Sequence, residues 1–255
     1  MKPALAFKDP DVPIKWEDMP NGLLVADAIG DAMRPWWPRM FGYHLLKLGS
    51  LSAQLDTSTS MIKHQVNVCH SHPFGDVLAE IDDLPFQLHS VDACVLAHSL
   101  EFALDPHHIL REIDRVLIPN GHLMISGFNP FSLAGLNRYI PFRRQAMPWQ
   151  GRFFTPMRIK DWLHLLGYEI LTDDRFLHST LVNPLDQKGW LGKHWQKFAS
   201  NYLSMFGSVF LIVAKKRVHP LTPIRPKWQL RPNFQPVKVT SMQGHSRQYK
   251  KSDNL

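Results

Sequence analysis

Three short stretches of this chain carry side chains able to do chemistry. Cys69-His70-Ser71-His72 places a thiol and two imidazoles within four residues. That is raw material for a zinc site, but no second cluster at ligand spacing accompanies it, so no metal site is expected. His98 stands directly after the apolar run Val91–Ala97. An imidazole there could take a proton from an attacking oxygen or nitrogen, or could simply cap a neighbouring helix. Gly49 follows another apolar run, Tyr43–Leu48. A lone glycine after a strand fits a strand-to-helix turn with or without a ligand.

The elements that must position these residues are clearest over 83–127. Val91–Ala97 is apolar apart from Asp92, the pattern of a strand buried on both faces. Asp105-Pro106 then opens a helix, with Asp105 able to accept from first-turn amides and Pro106 where no donor is needed. Ile109, Leu110, Ile113, Val116 and Leu117 form one apolar stripe, with Arg111, Glu112, Asp114 and Arg115 largely outside it. Asn120-Gly121 supplies a turn, and His122–Ser126 reads as the next strand. Strand, crossover helix and strand imply a parallel, right-handed unit, which binds ligands at the carboxyl ends of its strands. His98 lies at such an end.

Further strands are expected at Tyr43–Leu48, His64–Val68, Val77–Ile81, Tyr168–Leu171 and Ser208–Ala214. The span between the second and third barely admits a crossover of roughly 10–12 residues, so its helix should be short or absent. Thr155-Pro156 starts another helix, with Ile159, Trp162, Leu163 and Leu166 on one face and Gly167 at its end. Residues 1–38, with Trp16, Trp36 and Trp37, read as an N-terminal helical cap. Residues 176–206 read as an insertion with a helix around Trp190–Tyr202.

The 255 residues, 44% of them apolar, suit one α/β domain with additions. The longest apolar stretch, Met205–Ala214, is far short of the about 20 residues that span a bilayer, and membrane insertion is not expected. The first residues lack the apolar core of a signal peptide. The two cysteines, Cys69 and Cys94, do not suggest a disulfide framework, so a cytoplasmic location is the default. Of the net charge of +7, the share from Lys215 onward is ten Lys/Arg against the single acid Asp253. Residues 216–255 therefore read as a basic, Pro-rich tail, disordered or loosely docked. Its basic residues interleave with Trp228, Phe234 and Tyr249, a composition that suits either a solubilising tail or nucleic-acid capture.

LPFQLHSVDACVL and LREIDRVLIPNGHLMISG resemble the second half of a class I S-adenosylmethionine-dependent methyltransferase. Together with GFNPFSLAG and RIKDWLHLLGYE, they are similar to a bacterial subgroup of small methyltransferase-like proteins. The resemblance covers roughly residues 40–215. It implies an α/β, Rossmann-like seven-stranded sheet in order 3-2-1-4-5-7-6, helices on both faces and the last strand antiparallel. The methyltransferase domain would then run over 39–215, and S-adenosylmethionine would be the cofactor.

The resemblance also implies a site. LLKLGSLSA stands where the family has its glycine-rich cofactor loop, with Lys47 at the acid position and Gly49 kept. Leu51 and Ala53 occupy glycine positions, while Ser50 and Ser52 are small. Gly49, Ser50 and Ser52 are accordingly the loop candidates. For the ribose hydroxyls, the end of the second strand offers Asn67, Cys69 and His70, of which Asn67 is the choice. Glu80 matches the acid that accepts from the adenine amino group and Ile81 the residue that covers the ring; Asp82 and Asp83 are rivals one or two residues along. Ala97, His98 and Ser99 would line the cleft, with His98 the catalytic candidate. Asn129-Pro130-Phe131 is similar to the motif of amino-methylating enzymes, but it follows the fifth strand and reads as a turn on the substrate side, with Trp149 and Arg152 nearby in sequence.

The function so implied is methyl transfer to a small-molecule acceptor. Two alternatives remain: a non-catalytic binding module of the same fold, and a nucleic-acid methyltransferase that uses the basic tail. Oligomeric state is not legible.

Overall fold

The computed structural model describes residues 11–71, 73–140, 146–178, 180–181 and 204–217. The helix expected around Trp190–Tyr202 and nearly all of the basic tail lie outside the described residues. Seven strands form one sheet: β1 (His44–Leu48), β2 (His64–Cys69), β3 (Val77–Leu78), β4 (Val91–Ala97), β5 (Leu117–Phe128), β6 (Tyr168–Phe176) and β7 (Val209–Lys216). Their order is β3-β2-β1-β4-β5-β7-β6. The strands from β3 to β5 are parallel, and β7 runs antiparallel to both β5 and β6. This is the expected class I methyltransferase sheet.

Alternation along the central strands builds two cores. Leu46, Leu48, Cys94, Leu96, Leu123 and Ile125 face one side, against α3 (Pro106–Val116) and α4 (Pro156–Leu165). Leu45, Ala93, Val95, Ala97 and Met124 face the other, against Trp16, Met33 and Trp37 and against α1 (Gly22–Met33). The described residues before β1, within the stretch read as a cap, supply α1 and the 3-10 turns Trp16–Asp18 and Arg34–Arg39 to this face. Trp16 fastens this stretch by donating from Nε1 to the carbonyl of Leu51 at 3.1 Å, within α2 (Ser50–Ala53).

The helices start where their caps predict. Asp105 Oδ1 accepts from the amides of His107 and His108, at 2.9 and 3.2 Å. Thr155 accepts from the amide of Arg158, and Gly167 ends α4 in the left-handed region at φ +85. Ile109, Leu110, Ile113 and Val116 are buried as the stripe requires, each burial contributing about 1.5–3 kcal/mol. On the outer face of α3, Arg115 donates to the carbonyls of Phe86 and Leu84 at 2.8 Å and pairs with Glu112. That clamp fixes the segment leading from β3 to β4.

Some boundaries differ. β3 is two residues long, so Glu80 and Ile81 lie beyond it in a loop. Among the described residues no helix joins β2 to β3; instead Asp76 folds back, its carboxylate accepting from the Asn67 amide and its own amide donating to the Asn67 carbonyl, each at 2.9 Å. β6 runs five residues past the expected Leu171, because β7 pairs with it along its whole length, from Lys216 to Val209. Lys216, placed by sequence in the tail, is a buried member of β7 whose ammonium donates to the carbonyl of Leu117 at 3.1 Å. Among the described residues no helix is long and apolar enough to cross a membrane.

Candidate active site

A cavity of about 440 Å3 opens at the carboxyl ends of β1, β2 and β4, beside cap residues Val12, Pro13 and Ile14. That volume lies within the about 300–1,000 Å3 usual for small-molecule sites. Gly49 sits at φ +88, with its amide donating to the Val68 carbonyl at 2.8 Å. A Cβ there would stand 2.7 Å from Ser99 Oγ, so the turn needs glycine on both conformational and steric grounds. Gly49, Ser50, Glu80, Ile81, Ala97 and His98 all line the cavity. Of the rivals to Glu80, Asp82 also lines it.

Two of the sequence-chosen residues do not. Ser52 is fully buried: its hydroxyl donates to the carbonyl of Leu48 at 2.6 Å and accepts from the amide of Ala97 at 2.8 Å. It ties the ends of β1 and β4 together behind the cavity. Asn67 is held within β2 by Asp76, and its side-chain Oδ1 is buried without a partner among the described residues. The end of β2 reaches the cavity through His70 and Ser71 instead. His70 Nδ1 bonds to Glu80 Oε1, both side chains being largely exposed.

Lys47, at the acid position of the loop, does not line the cavity. Its ammonium donates to the carbonyls of Ala53 and Leu55, at 3.1 and 3.4 Å, and so closes the turn after α2. Burial lowers its pKa from the ordinary lysine value, partly opposed by Asp76 and Asp56. Leu51 is buried in the cap-side core and lines the cavity without filling it.

His98 is fully buried, at 0% exposure. Its backbone is left-handed at φ +52, and its ring lies 4.0 Å from the Phe128 ring and edge-on to Trp16 at 5.7 Å. Nδ1 faces Glu101 Oε1 at 3.1 Å, while Nε2 has no hydrogen-bond partner among the described residues. Glu101, also buried, accepts from the amide of Phe128 at 2.8 Å through the same oxygen. Sequence reasoning passed over Glu101; the available signal was an acid three residues after a histidine, the spacing of one helical turn.

The other motifs are structural. Asn129 is buried, donating to the carbonyls of Met205 and Gly207 and accepting from the Phe131 amide; the segment turns here but does not line the cavity. Trp149 donates to the Ala134 carbonyl, and Arg152 reaches the carbonyls of Ala103 and Leu104. Among the described residues no three His, Cys, Asp or Glu side chains gather to hold a metal ion. Cys69 is buried, which raises its thiol pKa, and His72 lies outside the described residues.

A mixed sheet of this order, with only β7 antiparallel to its neighbours and a ligand-sized cavity beside a left-handed glycine after β1, defines a class of protein. The chain belongs to the class I S-adenosylmethionine-dependent methyltransferase family, whose cofactor is S-adenosylmethionine. Residues 41–125 match the family model described as a methyltransferase domain. Among relatives, the uncharacterized protein YafS of Escherichia coli (strain K12) is 43% identical over 222 residues, 87% of this chain and 88% of that protein. The ubiquinone/menaquinone biosynthesis C-methyltransferase UbiE of Hahella chejuensis is 32% identical over 101 residues, 38% of this chain and 41% of that one. Among solved structures, a possible histamine N-methyltransferase from Thermotoga maritima superposes with a TM-score of 0.54 at 16% identity. The match covers 76% of this chain and 92% of that one, and it shows the shared fold.

Proposed function

We propose that the chain transfers the methyl group of S-adenosylmethionine to a small-molecule acceptor at the cavity beside Gly49. The observation that carries this reading is the fit of the cavity to the cofactor. Gly49 lines the cavity in a turn where a Cβ would meet Ser99, Glu80 offers a carboxylate to amino or hydroxyl hydrogens, and Ile81 offers an apolar surface to a ring. Gly49, Ser50, Ala97, Glu80 and Ile81 hold the cofactor, with His70 replacing Asn67 on the β2 side.

When bound, the cofactor supplies a sulfonium whose methyl carbon is already electrophilic. The chain then has to hold, align and dehydrate the reactants. His98 lies at the buried inner end of the site, beneath Trp16 of the cap, a place that suits a compact acceptor better than a macromolecule. The proposed location is the cytoplasm, since Cys69 and Cys94 are both free thiols, suited to a reducing compartment. Calorimetry of the full chain with S-adenosylmethionine and with S-adenosylhomocysteine tests the reading. Binding of both is expected, and no heat at millimolar ligand would end it in favour of a fold that has lost its cofactor.

A further inference from the structure

We infer that the face formed by the first turns of α3 and α4 binds a phosphate-class oxyanion, with Arg111 and Arg158 as its ligands. The site borders the cavity beside Gly49 but does not depend on the methyl-transfer reading.

The topology brings the two helix starts together. α3 leads from β4 to β5, and α4 leads into β6, which is parallel to β5 because both are antiparallel to β7. Each helix therefore begins at the carboxyl end of the sheet, where the cavity opens. The His107 ring of α3 packs on Trp162 of α4, with 4.3 Å between ring centroids. Arg158 lies over Trp162 at 5.3 Å and over Phe154 at 5.9 Å, and Arg152 lies over the same Phe154 at 5.6 Å. Arg111, one turn along α3 from His107, reaches Asp105 Oδ2 at 3.8 Å. Arg152 joins this face to the cavity by donating to the carbonyls of Ala103 and Leu104, which line it together with Asp105.

The charge on this face is unbalanced. Three guanidiniums gather around one acid, Asp105, whose Oδ1 already serves the His107 and His108 amides. Burial lowers the His107 pKa; Asp105 opposes this, and Arg111 and Arg158 both add to it. Burial also lowers the Arg152 pKa, again against Asp105 and with the Arg158 charge. These groups therefore lie close enough to repel one another. No acid pairs with Arg158 among the described residues, although Asp161 stands three positions along the same helix. Like charges held together without a matching acid leave a place for an anion.

Stacking does not use up Arg158. A guanidinium packs on an aromatic ring through its face, and its N–H edge stays able to take two oxygens. A phosphate group brings three oxygens and a charge of about −1.5 to −2, enough for two arginines, whereas a carboxylate brings two oxygens and one charge. Trp162 and Phe154 are each only 7% exposed, so neither ring is open to stack a base. A single phosphate group therefore fits this face better than a nucleic-acid chain.

The first test uses the full chain labelled with 15N-arginine and titrated with inorganic phosphate at low salt. The Nε–H signals of Arg111 and Arg158 should shift saturably, while that of Arg34, an exposed arginine paired with Asp31, should not. A shift that never saturates, or an equal shift at Arg34, overturns the inference, and no variant has to fold for this result. Calorimetry then takes Arg158→Gln and Arg111→Gln, each expected to bind phosphate about tenfold more weakly, the worth of one charge-assisted hydrogen bond. Arg34→Gln removes the same charge and should bind as wild type does. An equal loss in Arg34→Gln, or wild-type binding in Arg158→Gln, overturns the site. Phenyl phosphate and benzoate separate class and source. Benzoate binding as tightly as phenyl phosphate overturns the phosphate assignment. Phenyl phosphate binding more tightly than inorganic phosphate upholds the site with the group carried on a larger molecule such as the acceptor; binding no tighter upholds it with the free anion. S-adenosylmethionine is absent throughout, so its failure to bind bears on the methyl-transfer reading alone.

Discussion

Gly49 and Ser99 meet where β1 and β4 end: a Cβ on the first would lie 2.7 Å from the hydroxyl oxygen of the second. Ser99 is itself held there by donating to the carbonyls of Leu48 and Ala97, both at 3.2 Å. Gly49→Ala should therefore cost about 1–2 kcal/mol for the left-handed backbone, plus the contact. It should also weaken S-adenosylmethionine binding by more than tenfold. Adding Ser99→Ala should recover the steric part alone, because the next atom, Ser99 Cβ, is at an ordinary 3.7 Å. Denaturant midpoints and calorimetry on the two variants check this. Wild-type affinity in Gly49→Ala would show that the cofactor does not pass close to this turn.

Ser52 separates stability from binding. Its hydroxyl satisfies the buried Ala97 amide, so Ser52→Ala should cost about 1–3 kcal/mol. Since the side chain lies behind the cavity, affinity for S-adenosylmethionine in the folded variant should stay within about threefold, less than 1 kcal/mol. A tenfold loss of affinity in a fully folded Ser52→Ala protein would return Ser52 to the site.

The sheet was legible because its signals are local and repeat. Alternation in β4, the Asp105-Pro106 start of α3 and the Asn120-Gly121 turn each follow from a few neighbouring residues. The site was less so, because side-chain direction depends on where a strand stops. Asn67 has the amide oxygen that could accept a ribose hydroxyl, yet β2 continues to Cys69, and His70 and Ser71 are the residues that reach the cavity. Ser52 looked like loop chemistry but lies on the buried face of α2. Glu101 was hidden because its meaning comes from Phe128, 27 residues away in sequence and fixed beside it by β4–β5 pairing.

The clamp between α3 and the segment before β4 should be acid-sensitive. The Arg115 guanidinium bonded to Glu112 holds the Glu112 carboxyl below the ordinary glutamate value, helped by the Leu84 amide and opposed by burial. A depressed carboxyl contributes stability that is present above its unfolded pKa, about 4.3, and that is lost as pH falls through its lower folded value. Wild type should therefore lose stability as pH drops below about 4. Glu112→Gln should be less stable at neutral pH and show a flatter acid limb. Parallel melting curves from pH 7 to pH 3 decide it, and superimposable acid limbs would show that the pair contributes nothing.

Glu80 is the sharpest test of the cofactor side. Its bond to His70 joins two side chains that are 58% and 79% exposed, and such a pair contributes about 0–1 kcal/mol to folding. Stability alone therefore gives little reason for a carboxylate at this wall of the cavity. Glu80→Gln should melt within a degree or two of wild type yet bind S-adenosylmethionine about tenfold more weakly, the loss expected when a charge-assisted hydrogen bond becomes a neutral one. His70→Ala should also weaken binding, by less, since it removes the contact on the β2 side and leaves the Glu80 acceptor in place. If Glu80→Gln binds as wild type while Asp82→Asn binds weakly, the adenine amino group is held by Asp82, two residues along the same loop.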